Sequence, residues 1–348
     1  MTPKAKATTA FVLTFILLAL RMVGPALATS QVRLLQVGAS MQTTTESAEA
    51  TLFNAAAWEA GTPVDKSPEC EHAPALVCFI ERPLVTASRT ITSQPGETRK
   101  DIKFHVSEDI TADSNNVLFT SQDEARFVRH SSFPVDEPIA SLRTSSPIQG
   151  LSHETHDQVR TGLQYVFPFA TEFRSYDYFD KFSATTSPID FHDREKLRGE
   201  TVYRFHQAIE PTQLDGSQIT GLARQFYTEQ ELEAEGISGS SVVALNRYYS
   251  ITRTLWVEPK TGTIVDSVEI PHVFLAGDTA EAEQTTPKSP RTLYTATLRW
   301  NQSSQSDAWA RAKSGLRVLK SVQVGVVLVT TGAAVFGALG LFYLRRRV

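Results

Sequence analysis

Residues Val322 to Leu344, VQVGVVLVTTGAAVFGALGLFYL, run for 23 positions without a charged side chain and end on Arg345, Arg346 and Arg347. At about 1.5 Å per residue a helix of that length reaches roughly 34 Å, enough to cross the hydrocarbon core of a bilayer. Its polar side chains are Gln323, Thr330, Thr331 and Tyr343. Helical threonine hydroxyls fold back onto carbonyls of the preceding turn, so the stretch needs no aqueous pore and reads as a membrane anchor. The rest of the chain is then a domain held by that anchor.

Immediately upstream, residues 306–321 read as an amphipathic basic helix running into the span. Trp309, Ala312, Leu316 and Leu319 fall on one face, and Lys313, Arg317 and Lys320 form a neighbouring basic stripe. Docking on anionic headgroups with Trp309 near the interface is one reading, and a solvated basic stalk is the other. At the opposite end, residues 1–28 carry Lys4 and Lys6, an apolar run from Ala10 to Leu20, and Ala26-Leu27-Ala28, the small-x-small pattern of a signal-peptidase site. Cleavage after Ala28 and retention as a second anchor, with Arg21 snorkelling, both fit. Lys and Arg counts are nearly balanced across the C-terminal span, so the export signal sets its orientation. Gln31 to Ser321 lie outside, and residues 345–348 stay in the cytoplasm. The expected location is the cytoplasmic membrane, single-pass or two-pass, with the bulk of the chain extracytoplasmic and the lipid bilayer as first partner.

The 348 residues are 41% hydrophobic and 21% charged, enough for one large or two small domains. Net charge is −4, yet the terminal segments are basic, so the body between them is distinctly acidic. That argues against nucleic acid as a partner. The two cysteines, Cys70 and Cys78, stand close together in CEHAPALVC. In an exported chain they favour a short-loop disulfide; zinc, with His72 as a third ligand, is the weaker reading because a fourth ligand is unnamed.

Residues 29–83 are rich in Ala, Thr, Ser and Glu and read as a variable linker or cap. From 84 to 305 the pattern is that of a β-rich extracytoplasmic domain. Candidate strands are Leu84 to Thr92, Ile102 to Glu108, Asn116 to Thr120 and Arg126 to His130, with turns at Gln94-Pro95-Gly96 and Ala112-Asp113-Ser114-Asn115. Thr144 to Asp157 reads as a polar break. Beyond it come an aromatic segment, Tyr165 to Phe179, a strand from Val202 to Ile209, and a hairpin of Ser250–Val257 and Ile264–Ile270 closed at Gly262. A last strand runs from Leu293 to Trp300. Glu229 to Glu235, ended by Gly236, and Asp278 to Arg291 look like insertions. The fold class expected is mainly β, an antiparallel sheet ectodomain with a C-terminal transmembrane helix, α+β being the open alternative.

Three blocks in the second half, GLQYVFPFATEFRSYDYFD, GETVYRF and RYYSITRTLWVEPKTGTIV, resemble the actinobacterial porin PorA family. Phe167-Pro168-Phe169 with Thr171-Glu172, Tyr203-Arg204-Phe205, and Arg253 through Pro259 with Thr261-Gly262 carry the likeness. It implies an exported bacterial envelope protein with a C-terminal helical anchor and, often, a retained apolar N-terminus; Ala26-Leu27-Ala28 departs from the latter. The family label suggests a pore. The strands here are mostly shorter than the roughly ten residues a membrane barrel uses.

No catalytic motif stands out, so the chain is expected not to be an enzyme and to take no cofactor. His153-Glu154-Thr155-His156 lacks the spacing of a zinc helix and reads as loop. The seven rings Tyr165, Phe167, Phe169, Phe173, Tyr176, Tyr178 and Phe179 line either a groove for an acyl chain or glycan, or a packed core between two sheets. Arg253 beside Trp256 is either a ligand clamp or one half of a cross-strand ion pair with Glu258. The function expected is binding or scaffolding in the cell envelope, with an envelope lipid or another envelope protein as partner, the alternative being a pore subunit.

Overall fold

Strands form wherever one face of an alternating segment can be buried, and β5 shows the rule: in Asp101–Ala112 the inward set Ile102, Phe104, Val106, Glu108 and Ile110 is buried, while Lys103, His105, Ser107 and Asp109 face outward. The computed structural model describes residues 3–30, 32, 34–72, 74–113 and 116–345. Gln31, Ser114 and Asn115 of the expected boundary and turn, and Arg346 and Arg347 of the expected tail, lie outside the described residues. The chain divides into two units, Val37–Ala308 and a helical unit built from Met1–Gln36 with Trp309–Val348.

The first unit is a mainly antiparallel β domain. Its first half contains β1 (Ser40–Thr44), β2 (Ala48–Phe53), β3 (Ile80–Glu81), β4 (Leu84–Pro95), β5, β6 (Val117–Val128), β7 (Pro138–Ser145) and β8 (His153–Val159). The second half contains β9 (Tyr176–Asp180), β10 (Thr185–Leu197), β11 (Glu200–Gln213), β12 (Ile219–Leu222), β13 (Val242–Glu258), β14 (Thr263–Ala276), β15 (Thr292–Ala296) and β16 (Leu298–Arg299). Neighbours run β8-β7-β6-β5-β4-β2-β15-β14-β13-β11-β10-β9, and every pairing along that path is antiparallel. Among the described residues the terminal strands β8 and β9 do not pair with each other, so the sheet is open. The two meanders join at β2 and β15, where Leu52 stands opposite Tyr294.

Several expectations take a different shape. Residues 29–83 supply β1, β2 and β3 as well as the disulfide cap. The candidates Asn116 to Thr120 and Arg126 to His130 fall mostly within the single strand β6, which runs only from Val117 to Val128, and the polar break holds β8, an edge strand with largely exposed side chains. The amphipathic helix and the apolar span form one helix, α5 (Gln302–Arg345), whose entry is fixed by Asn301 Oδ1 accepting from the Ser304 amide at 2.9 Å. The short helices are α2 (Ala55–Glu59), α3 (Glu229–Glu235) and α4 (Thr279–Gln284). Thr228 caps α3, and Gly236 ends it at φ +64°. The two apparent insertions hold one another: Arg291 reaches Glu231 at 3.0 Å and Glu281 at 3.2 Å.

In the helical unit, α1 (Pro3–Ser30) and α5 each have the length and hydropathy to cross a membrane.

Candidate functional site

The aromatic segment lies inside the β domain, between its two halves. Tyr165 sets its ring 6.3 Å from Phe104 of β5 and 6.4 Å from Phe127 of β6, while Phe167 and Tyr176 pack on Phe205 of β11. Tyr165, Phe167, Tyr176, Tyr178 and Phe179 are buried. Phe167 packs 4.7 Å from Phe205 and 5.5 Å from Tyr176, so these rings fill one another's contact surface as core rings do. Phe169 is half-buried and Phe173 is 62% exposed, the one ring of the seven that faces solvent.

What holds the segment is the β13–β14 turn. The Phe167 amide donates to the Gly262 carbonyl at 3.0 Å, and Thr171 donates to the Pro259 carbonyl at 2.7 Å. Gly262 has φ +71°, and a β carbon there would overlap the Phe167 carbonyl oxygen. Two of the sequence blocks therefore meet face to face, each needing the other's backbone shape.

Beside the rings lies a buried set of six charges that sums to zero. Arg89 of β4 contacts Glu108 of β5 at 2.6 Å and Glu269 of β14 at 3.2 Å. Lys181 reaches Glu108 at 2.9 Å, and Arg253 of β13 reaches Asp180 at 2.8 Å and Glu269 at 3.2 Å. Asp180, which is completely buried, also accepts from Tyr249 Oη at 3.1 Å and from the Ser183 amide at 2.9 Å. Arg253 further donates to Gln207. Burial pushes the carboxyl groups of Glu108 and Glu269 upward, but the surrounding cations outweigh it. Arg89 and Lys181 hold Glu108 below its ordinary pKa, and Lys181, Arg253 and Arg89 do so for Glu269. Tyr178, whose hydroxyl donates to the Gln164 carbonyl, is pushed up to about 12 by burial.

A second buried pair lies near the open side of the sheet. Arg160, just after β8, grips Asp123 of β6 at 2.6 and 3.0 Å and donates to Gln164 at 2.6 Å. Its guanidinium lies 3.8 Å from the Phe179 ring centre. Tyr165 Oη donates to the same aspartate. Chemically these clusters are charge-neutral cross-braces, fully occupied with one another.

Of the other expected residues, Arg253 pairs with Asp180 and Glu269, while Glu258 instead accepts from the amides of Lys260 and Thr261 in the turn. Trp256 is half-buried and donates from Nε1 to Glu195 at 3.2 Å. Cys70 and Cys78 are bonded, with Cα atoms 5.7 Å apart and His72 exposed nearby. His153 and His156 lie on opposite faces of β8, the first against Thr144 and the second against Glu154. Among the described residues no group of three or more His, Cys, Asp or Glu side chains is placed to hold a metal ion. Trp309 is buried, and Lys313, Arg317 and Lys320 are exposed along α5.

Sequence reasoning did not assign Asp180, Lys181, Glu108, Glu269, Arg89, Asp123 or Arg160. The signal was a charge inside an apolar strand, as with Glu269 between Val268 and Ile270.

In the helical unit α1 and α5 pack antiparallel. A β carbon on Gly340 would lie 3.0 Å from the Phe11 ring, one on Gly337 3.8 Å from Thr14, and one on Gly332 3.3 Å from Leu17. Lys6 Nζ stands 5.7 Å from the Tyr343 ring centre. Small residues let two apolar helices approach closely where water supplies no driving force.

The family profile described as Porin PorA matches residues 6–342, nearly the whole chain. The chain belongs to the porin PorA family. A Porin PorA from Corynebacterium resistens is 29% identical over 364 aligned positions, covering 87% of this chain and 85% of that protein. A Porin PorA from Corynebacterium amycolatum is 30% identical over 249 positions, covering 65% of this chain and 63% of its own length. The PorA match thus extends through the first half of the chain, where the sequence blocks alone carried little likeness. It takes in α1 as well as α5.

Proposed function

We propose that this PorA-family chain is a two-helix cell-envelope protein of the cytoplasmic membrane, whose β domain stands outside the cell and binds or scaffolds other envelope components without catalysis. The observation that carries the reading is the fit of Phe11, Thr14 and Leu17 of α1 against the glycine face of α5. Removal of α1 at Ala28 would leave that face unmatched, so the N-terminal helix is a retained anchor in this reading. The aromatic segment and the neutral charge set then act as internal filler and brace, and partner binding falls to the domain's surfaces. The test is a cysteine pair, Thr14→Cys with Gly337→Cys, combined with protease added to intact cells. An intrachain cross-link and digestion of the bulk of the chain are expected. A mature N-terminus at Thr29, or a protected β domain, refutes the reading.

A second reading, a pore subunit, is favoured by the name that both corynebacterial relatives carry. Planar-bilayer conductance by the purified chain would establish it, and steady silence across protein concentrations would retire it.

A further inference from the structure

The outward face of β4 to β8 carries two parallel rows of hydrogen-bonding side chains. Cross-strand register aligns Thr92, His105, Glu124 and Ser141 in one row, and His156 joins it on β8. The adjacent row is Thr90, Ser107, Gln122, Arg143 and Glu154, each opposite the next. Neighbouring strands lie about 4.8 Å apart, so each row is roughly 19 Å long. An outward antiparallel face is ordinarily polar. This one is also concave: the two rows enclose an open hollow of about 490 Å³. In it the side chains of His105 and Glu124 are only 35% and 34% exposed.

Charge selects the ligand class. Lys103 contacts Glu124, and Arg143 Nε donates to Glu154 at 2.8 Å, so the two bases cancel the two acids. A neutral face has no reason to attract a polyanion or a polycation. The rows offer hydroxyl, amide, imidazole and carboxylate groups, donors and acceptors side by side, a surface matched to a chain of hydroxyl groups. His105 bonds Glu124 through Nδ1 at 2.8 Å, while its Nε2 is shielded from solvent and has no hydrogen-bond partner among the described residues.

We propose that this groove binds a neutral polyhydroxylated saccharide chain, lying across the strands along the two rows. The proposal supplies a binding partner for the envelope role above and rests on the domain lying outside the cell. The binding assay uses purified protein, so it can fail while the protease result stands, and the reverse.

The full chain in a sugar-free detergent is titrated calorimetrically with three neutral probes, a β-linked glucan hexasaccharide, an arabinan and a galactan oligosaccharide. Polygalacturonate is the charged comparison. Saturable binding of at least one neutral probe is expected. Ser107→Ala with Gln122→Ala, two exposed side chains at the centre of the second row, should weaken it about tenfold or more, equivalent to at least about 1.4 kcal/mol, with melting unchanged. Should that pair melt early, Thr90→Ala at the end of the row carries the same expectation. No saturable binding of any neutral probe, binding of polygalacturonate alone, or full affinity in a well-folded variant overturns the proposal.

Discussion

Replacing Gly262 by alanine tests whether the aromatic segment and the β13–β14 turn are one structural joint. The position has φ +71°, where an L residue is strained by roughly 1–2 kcal/mol. In addition, the new β carbon would overlap the Phe167 carbonyl oxygen and lie 2.7 Å from that of Pro168. Both obstacles are backbone atoms, and they cannot rotate away. Overpacking of that kind adds about 1–3 kcal/mol, for a total near 4 kcal/mol. In a domain of this size each kcal/mol moves the melting temperature by about 2–4 °C, so a drop of about 10 °C is expected. Gly199 is the internal control, because its φ is +85° yet nothing lies within 4 Å of its β-carbon position. Gly199→Ala carries the same backbone strain alone, roughly 1–2 kcal/mol or about 5 °C. Circular dichroism melts of the two full-length variants decide the matter. Equal drops would mean that the turn does not grip the segment and that the account of the core is wrong.

Glu269→Gln leaves Arg89, Lys181 and Arg253 with two carboxylates and should cost about 3–5 kcal/mol, read as a lower denaturant midpoint. Because Glu108 and Glu269 have depressed pKa values in the folded state, their contribution is complete above the ordinary glutamate value of about 4.3. It is lost as pH falls through their folded values, so acid titration of stability should steepen below about pH 4. Buried His272 behaves likewise at higher pH: burial lowers it to about 4, so stability present above about pH 6.5 declines by about 3 kcal/mol toward pH 4, and His272→Gln should flatten that decline. Cys70→Ser with Cys78→Ser opens a loop of sequence separation 8 and should cost about 2.5 kcal/mol; an unchanged melt under oxidising conditions would mean that the cap's packing around Phe79 and Trp58 suffices.

The elements with a local signature were legible. Gly262 announced its hairpin, Gly236 marked the end of α3, and the cysteines stood close enough to pair. The alternation of Tyr294, Ala296, Leu298 and Trp300 marked the buried face, although the single strand expected there is broken at Thr297 into β15 and β16. What stayed hidden depended on contacts distant in sequence. β6 looked like two fragments because its inward positions Ser121 and Asp123 are polar, and they are polar because Arg160 and Tyr165 come to meet Asp123 there. β8 looked like loop because an edge strand with both faces wet has no apolar alternation to show. The partners of Arg253 could not be named from its neighbours, since Asp180 lies 73 residues away.

The adjacency of β2 and β15 sets a schedule for how this molecule can come into being. Residues near position 50 wait for a strand ending at Ala296 before the middle of the sheet has both edges joined. Pairings over such separations form slowly, because loop closure must come before any contact repays it. A ribosome or an export channel delivers the amino end first, so the early meander emerges with an unsatisfied margin and is exposed to wrong partners until the late strand arrives. The architecture therefore leaves one margin of the early meander to be sealed last, and that late seam is where this molecule is most open to misassembly.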